Sequence, residues 1–207
     1  AVDVSGSVDP SEYRIQMQGL ADALDDAVIS NALIDAQAQV ALVQWTGVSR
    51  QHVAIPWVHI TDAARLRRLV DQVETAPRRW RNFSTAIGQA LDVSAGLFDQ
   101  VDTCTHRVID VSGDGVSNEG PPPQDMRATL TAQDITVNAL VIEGDDADLT
   151  GYYWENVIWG EGAFAVTANG FVDYPAKIRL KLRQEVAEAV ARAPTTAPLF
   201  VPTSVRP

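Results

Sequence analysis

The sequence predicts a single α/β domain with a three-layer, doubly wound fold. Its sheet should be mostly parallel, with about six strands and one antiparallel edge strand. Short apolar runs of strand length alternate with stretches whose apolar residues recur at helical spacing. One pair of apolar runs is separated only by residues 46–50 (TGVSR), which suits an antiparallel hairpin. No repeat of solenoid or propeller length is present in the sequence, so one domain is expected.

The first predicted helix has a complete start signal. Asp9 is suited to cap the helix, Pro10 to be its first residue, and Glu12 to bond back to the cap. Apolar residues then recur at helical spacing as far as Val28, so we expect one helix across this stretch. The chain begins with Ala1 directly before these segments, and we expect a first strand that is truncated at its start.

Two apolar runs then predict the hairpin. Residues 39–45 (QVALVQW) have the composition of a buried strand, and residues 51–58 (QHVAIPWV) that of a second strand. Pro56 cannot donate to a strand ladder, so it indicates an edge position for the second strand.

The rest of the chain alternates helices with strands. The predicted elements are a helix at 61–73, a loop at 77–83, a helix at 84–98 capped by Ser84, a strand at 107–111, a helix at 124–133, a strand at 135–142, a helix at 149–157, a strand at 163–167 and a long helix at 174–189. We therefore expect a single domain at residues 1–193, followed by a proline-rich, extended or disordered tail at 194–207.

Composition excludes several classes of function. The formal net charge is -11 and no basic stripe is present, so no nucleic-acid partner is expected. No window approaches about 20 consecutive apolar residues, so no transmembrane segment is expected. Cys104 is the single cysteine and the three histidines are scattered, which argues against a disulfide and against a cysteine or histidine metal cluster.

Oxygen-bearing side chains follow the predicted strands at one edge of the sheet. Asp3, Ser5 and Ser7 follow the first strand, Thr85 precedes a helix, and Asp114 follows the central strand. Ligands of such sheets bind beyond the carboxyl ends of the strands, so these five side chains should converge there. Carboxylate and hydroxyl oxygens suit a hard divalent cation. We expect Mg²⁺, with Mn²⁺ or Ca²⁺ as alternatives.

The segments that carry these residues resemble a known family. DVSGS, TAIGQAL and SGDG resemble the three motifs of the von Willebrand factor A (VWA) domain and its metal-ion-dependent adhesion site (MIDAS), DxSxS…T…D. The resemblance implies that Asp3, Ser5 and Ser7 form the first motif, Thr85 the second and Asp114 the third.

A narrower resemblance is to DUF1194, a bacterial group of VWA-like proteins. The segments AVDVSGSVDPSEY, TAIGQAL, RVIDVSGDGVSNEG and YYWENVIWGEGAFAV are similar to its recurrent blocks. This resemblance implies a VWA fold, a metal site and an extracytoplasmic location, periplasmic or secreted. It implies no known activity.

The favoured function is a metal-dependent, adhesion- or scaffold-type protein-binding module without catalytic residues. The hydroxyls are neutral, so an acidic residue of a protein partner is a natural last ligand of the cation. One alternative is a structural subunit of an extracytoplasmic assembly, in which the apolar part of the tail at 194–207 mediates self-assembly. The other is a metal-dependent hydrolase, which is disfavoured because no general base or nucleophile stands beside the site.

Two further features have open interpretations. Two loops close to the predicted ligands are candidates for a partner-binding rim. The rim candidates are Arg78, Arg79, Trp80, Arg81, Asn118 and Glu119. Asp110 lies in the middle of a predicted buried strand. It either orients the metal site as a hydrogen-bond acceptor or is a structural acid bonded to neighbouring backbone or hydroxyl groups.

Overall fold

The computed structural model describes residues 1–101, 103–104, 106–144 and 148–192. The predicted tail at 194–207 lies outside the described residues. The elements are, in chain order, β1 (Val2–Asp3), α1 (Pro10–Leu24), α2 (Ala27–Asp35), β2 (Gln39–Trp45), β3 (Gln51–His59), α3 (Ala63–Thr75), α4 (Ile87–Leu97), β4 (Arg107–Gly113), α5 (Arg127–Ala132), β5 (Ile135–Glu143), α6 (Leu149–Asn156), β6 (Ala165–Asn169) and α7 (Tyr174–Arg192). Short 3-10 turns lie at Phe98–Gln100 and Pro123–Met126.

The described strands form one six-stranded sheet in the order β3-β2-β1-β4-β5-β6. Among the strands that the structure describes, β2 and β3 form the one antiparallel pair, and β3 is an edge strand. The predicted fold class is therefore confirmed. The short β1 lies parallel between two strands, with Asp3 opposite Trp45 of β2 and Val2 opposite Ser112 of β4. The strand order reverses between β1 and β4, so their carboxyl ends border the crevice where doubly wound sheets bind ligands.

Helices cover both faces of the sheet, which explains why the central strands are almost continuously apolar. Helices α4 and α6 pack on one face, and α1, α3 and α7 pack on the other. Buried side chains of the first face include Ile87, Leu91, Val111 and Val137, and those of the second include Met17, Leu66, Leu69 and Ile178. Within the described ranges, no helix combines the length and apolar character needed to cross a membrane.

The start of α1 is confirmed, but its predicted extent is wrong. Oδ1 of Asp9 accepts hydrogen bonds from the backbone N–H groups of Ser11 (2.6 Å) and Glu12 (2.8 Å), and Glu12 bonds back to Asp9 N (2.7 Å). The helix ends at Leu24, and α2 begins after two intervening residues, the second of which, Asp26, is its N-cap. The apolar spacing continues through this break, so periodicity alone could not reveal it.

The predicted cap at Ser84 is also wrong, because α4 begins only at Ile87. Residues 84–86 are held in an extended path beside the end of β2. The hydroxyl of Thr46 donates to the carbonyl of Ser84 (2.8 Å), and Ala86 N donates to the carbonyl of Thr46 (3.0 Å). Thr85 therefore precedes the helix, and its side chain is not committed to capping it.

Other boundaries differ by a few residues. The predicted helix at 124–133 is a 3-10 turn followed by the short α5, and the last strand is shifted from 163–167 to Ala165–Asn169. The hairpin and the long last helix are confirmed.

Candidate metal centre

The loop after β1 begins with a side-chain turn. Oδ1 of Asp3 accepts a hydrogen bond from the backbone N–H of Ser5 (2.7 Å), and Gly6 N donates to the carbonyl of Phe83 (2.8 Å). Short polar residues favour such turns because their side chains replace backbone acceptors. The turn brings the hydroxyl oxygens of Ser5 and Ser7 within 3.1 Å of each other.

The loop after β4 meets this first loop directly. The hydroxyl of Ser7 donates a 2.6 Å hydrogen bond to Oδ1 of Asp114. Because β1 and β4 are neighbours in the sheet, the first and third predicted motifs converge at the point where the strand order reverses.

Thr85 reaches the same edge from the extended segment before α4. Its backbone N–H donates to Oδ1 of Asn118 (2.9 Å), and its carbonyl accepts from the backbone N–H groups of Asn118 (2.9 Å) and Glu119 (3.2 Å). Its hydroxyl oxygen lies 3.8 Å from the position that a Cβ on Gly115 would occupy. The Thr85 hydroxyl therefore faces the loop that carries Asp114.

The electrostatics of the two carboxylates fit a bound cation. Asp3 is fully buried, and its Oδ2 has no hydrogen-bond partner. Burial and, after it, the negative charge of Asp114 raise the pKa of Asp3 to about 7. Burial also raises the pKa of Asp114, although the Ser7 hydrogen bond opposes this. Two neighbouring, poorly solvated carboxylates with an unpaired buried oxygen form a site that a positive ion would stabilise.

The donor set is one of oxygens alone. Among the residues that the structure describes, no group of three or more His, Cys, Asp or Glu side chains is positioned to bind a metal. The two carboxylates of Asp3 and Asp114 and the hydroxyls of Ser5, Ser7 and Thr85 suit Mg²⁺, which uses one or two carboxylates and keeps several waters. The residues present fit the cation that the motifs imply.

The structure adds a tyrosine and a glycine to the site. A Cβ on Gly113 would lie 2.5 Å from the hydroxyl oxygen of Tyr153 and 3.2 Å from Oδ2 of Asp3. Tyr153 is fully buried on α6, and its hydroxyl donates to the carbonyl of Gly115 (3.3 Å). Because Gly113 has no side chain, the hydroxyl of Tyr153 fits beside it and holds the loop that carries Asp114. This role could not be predicted from the sequence, because Tyr153 resembles an ordinary core residue.

A glutamine and an arginine support the first loop. Gln16 is a fully buried polar residue on α1, and its amide donates to the carbonyl of Asp3 (3.3 Å). A guanidinium nitrogen of Arg78 donates to the carbonyls of Val4 (3.1 Å) and Ser5 (2.8 Å). Arg78 therefore fixes the loop backbone. The position of the polar Gln16 on the buried face of α1 is the feature of the sequence that could have indicated its contact with Asp3.

The remaining rim candidates divide into two kinds. The side chains of Asn118 and Glu119 accept hydrogen bonds from Thr85 N and Val48 N (both 2.9 Å). Trp80 is half-buried, and its ring meets His52 edge-on at 6.1 Å. Arg79 and Arg81, by contrast, are exposed.

Asp110 contacts a charged cluster on the last helix. It forms an ion pair with Lys181 of α7, whose ammonium group also contacts Glu185 (2.6 Å). Asn138 of β5, opposite Asp110 in register, donates to the same carboxylate of Glu185 (2.8 Å). These contacts favour the interpretation of Asp110 as a structural acid, with a lysine as its partner.

Comparison with known proteins places the chain in a family. A family model described as "Protein of unknown function (DUF1194)" matches residues 1–190. The chain belongs to the DUF1194 family. Comparison of this DUF1194 protein with curated proteins gives no significant match.

Solved structures share the fold of this DUF1194 protein. Proximal thread matrix protein 1 (PTMP1) from the mussel byssus is 18% identical with a TM-score of 0.66, covering 90% of this chain and 46% of PTMP1. A PTMP1 structure with a zinc-occupied MIDAS motif also matches, at 18% identity and a TM-score of 0.61, covering 90% and 47%.

Two bacterial proteins match similarly. The von Willebrand factor type A structure from Catenulispora acidiphila is 18% identical with a TM-score of 0.61, and the match covers 91% of this chain and 41% of the Catenulispora chain. The pilus adhesin SpaC from Lactobacillus rhamnosus GG is 13% identical with a TM-score of 0.63, covering 90% and 29%. The DUF1194 chain therefore has the VWA fold, and it spans less than half the length of each of these structures.

Proposed function

We propose that this DUF1194 protein is a metal-dependent protein-binding module of the adhesion or scaffold type. Asp3, Ser5, Ser7, Thr85 and Asp114 hold a divalent cation, with Mg²⁺ favoured by the oxygen ligands. The observation that carries the proposal is the buried, unpartnered Oδ2 of Asp3 beside the Ser7–Asp114 hydrogen bond. PTMP1 with a zinc-occupied MIDAS motif and the pilus adhesin SpaC, both of the same fold, support it.

The chemistry of the ligands explains why a partner's acid completes the site. Three of the five predicted ligands are neutral hydroxyls, and Oδ1 of Asp3 is already engaged by Ser5 N. When bound, the cation supplies a positive charge that these oxygens offset only in part. A carboxylate from an Asp or Glu of the partner is the group whose charge and hardness suit the open side.

A binding role agrees better with the site than a catalytic one. The side chains that surround Asp3 and Asp114 are hydroxyls, a buried tyrosine and an arginine bonded to backbone carbonyls. A hydrolase would need a positioned general base or nucleophile, and these groups are engaged in supporting the loops. We therefore propose a non-enzymatic protein located outside the cytoplasm, in the periplasm or secreted. A byssus matrix protein and a pilus adhesin among the proteins of this fold support that location. The assembly alternative depends on the tail at 194–207 and stays a prediction.

A peptide selection tests this function and requires no identified partner. Random peptides displayed on phage are bound to the immobilised protein in Mg²⁺ and eluted with EDTA. We expect the eluted peptides to be enriched in Asp and Glu, and Asp114→Ala to retain almost none of them. Asp71→Ala, which removes an exposed acid of α3, is the matched control. Peptides that stay bound in EDTA, or that bind Asp114→Ala equally well, would contradict the proposal.

A further inference from the structure

Several arginines lie in chain segments beside the candidate metal centre. Arg79 and Arg81 are exposed, and the guanidinium of Arg50 stacks on the ring of Phe83 at 4.0 Å. Across the described ranges, the ion pairs on the chain include none of these three arginines. We call Arg50, Arg79, Arg81 and Phe83 the arginine rim.

The arginine rim lies directly against the first metal loop. A Cβ on Gly6 would lie 3.2 Å from the carbonyl oxygen of Phe83, so the backbone at Phe83 packs against Gly6, the residue that links Ser5 to Ser7 through the first metal loop. Arg78 ties the same segment to the carbonyl of Ser5.

The charge of the rim contrasts with that of the whole protein. The chain has 16 Lys and Arg against 27 Asp and Glu, yet Arg50 and the run at 78–81 bring four arginines to one side of the site. Arg78 is bonded to backbone carbonyls and Arg50 donates to the carbonyl of Val48 (3.1 Å), which leaves Arg79 and Arg81 for a ligand. Unpaired cations beside a cation site repel one another, and a partner that carries several negative charges would relieve this repulsion.

Apolar surface also flanks the site. Phe83 is 39% exposed and lies two residues before Thr85, and Val116 is 47% exposed and lies two residues after Asp114. Exposed aromatic and arginine side chains together are typical of the centre of protein interfaces. Phe83 contributes to both the apolar surface and the arginine rim, because its ring is partly exposed and the guanidinium of Arg50 stacks on it.

We propose that the partner presents an acidic segment rather than a single acid. One carboxylate completes the cation, and at least one further carboxylate pairs with Arg79 or Arg81. An apolar side chain of the same segment packs on Phe83. This inference rests on the proposed function, and it adds a charge requirement that the metal site alone does not impose.

Two rhodamine-labelled peptides test the rim by fluorescence anisotropy. Both have an amidated C-terminus: the first, Ser-Gly-Asp-Gly-Ser, has one carboxylate, and the second, Glu-Gly-Asp-Gly-Glu, has three. In Mg²⁺, we expect wild type to bind the three-acid peptide about fivefold more tightly than the one-acid peptide. The Arg79→Gln/Arg81→Gln variant should lose this advantage and keep its affinity for the one-acid peptide within about twofold.

The matched control is Arg67→Gln/Arg68→Gln, which removes two exposed arginines of α3 and the same net charge. It should retain the full preference of wild type. The rim proposal is overturned if the Arg79→Gln/Arg81→Gln variant also retains it, if the control loses it, or if oligothymidylate binds wild type more tightly than the three-acid peptide does.

Metal dependence separates this inference from the function on which it rests. Binding of the one-acid peptide that is abolished by EDTA, together with no preference for three acids, contradicts the rim alone. Binding that persists in EDTA or in Asp114→Ala contradicts the proposed function, and so does the absence of binding of either peptide to wild type. In these last cases, the acidic-segment proposal falls with the function.

Discussion

The hydroxyl of Ser7 donates a 2.6 Å hydrogen bond to Asp114, although 107 positions separate the two residues in the chain. The contact exists because β1 and β4 are adjacent in the sheet and parallel, so both loops leave the sheet at the same edge. The candidate metal centre is thus a consequence of sheet topology, and each loop alone would carry only part of it.

Removal of Asp114 should abolish the stabilisation of the folded protein by Mg²⁺. A cation that binds only the folded state stabilises it, by about 2.7 kcal/mol when its concentration is 100 times the dissociation constant. We expect Mg²⁺ to raise the thermal midpoint of wild type and of the control Asp71→Ala, and to leave that of Asp114→Ala unchanged. Differential scanning calorimetry with Mg²⁺ and with EDTA measures this. An equal rise in Asp114→Ala would exclude Asp114 as a ligand.

Gly113 should not tolerate a methyl group. The new Cβ would lie 2.5 Å from the hydroxyl oxygen of the fully buried Tyr153. We expect Gly113→Ala to lower the free energy of unfolding by about 1–3 kcal/mol, measured by urea denaturation. Adding Tyr153→Phe removes the obstructing oxygen and should restore part of the loss.

Gly96→Ala provides the control for this substitution. Gly96 is exposed on α4, and its added Cβ would meet no atom within 4 Å. We expect a gain of up to about 1 kcal/mol, because alanine favours helix more than glycine does. Equal destabilisation by both alanines would show that close packing at Gly113 is not the cause.

Lys181 should be essential for stability. It is fully buried and pairs with Asp110 and Glu185, so Lys181→Met would remove the cation that contacts both carboxylates. We expect a loss of about 3–5 kcal/mol in the free energy of unfolding. The control is Lys177→Met on the same helix, whose partly exposed pair with Asp173 should contribute less than about 1 kcal/mol. Similar losses in both variants would contradict the role of Lys181.

We also expect the cluster of Asp110, Lys181 and Glu185 to make the stability of the protein depend on pH. Burial and then the negative charge of Asp110 raise the pKa of Glu185 above its ordinary value of 4.5, and Lys181 opposes this. The folded protein therefore holds a proton that the unfolded chain has released, so this contribution to stability falls as pH rises from 4.5 to the raised pKa.

A single substitution isolates the contribution of Glu185. We expect Glu185→Gln to flatten, relative to wild type, the fall in urea midpoint as the pH rises above 4.5. Glu188→Gln, which removes a charge from the same helix outside the cluster, should keep the slope of wild type. A Glu185→Gln slope equal to that of wild type would contradict the raised pKa.

Local signals explain which parts of the fold could be predicted. The start of α1 at Asp9, the strand Gln39–Trp45 and the antiparallel hairpin depend on caps, apolar runs and turns of a few residues. The start of α4 could not be predicted in the same way. Ser84 and Thr85 both resemble caps, and the contacts of Thr46 decide against a helix there.

Pairings across the fold explain the rest. The motif spacing predicted which oxygen-bearing residues should converge, because a doubly wound sheet brings its strand ends together. It could not predict that Arg78 and Asn118 bond to the loops while Arg79 and Arg81 stay exposed. Nor could it pair Asp110 with Lys181, because a lysine in a helix of mixed polarity resembles a solvent-exposed residue.

Anomalous diffraction from crystals soaked in Mn²⁺ tests the central claim most directly. We predict one anomalous peak at the manganese edge bounded by oxygen atoms of Asp3, Ser5, Ser7, Thr85 and Asp114, and no such peak in Asp114→Ala. A saturating soak that leaves this position without a peak, or a peak that persists there in Asp114→Ala, would contradict the account.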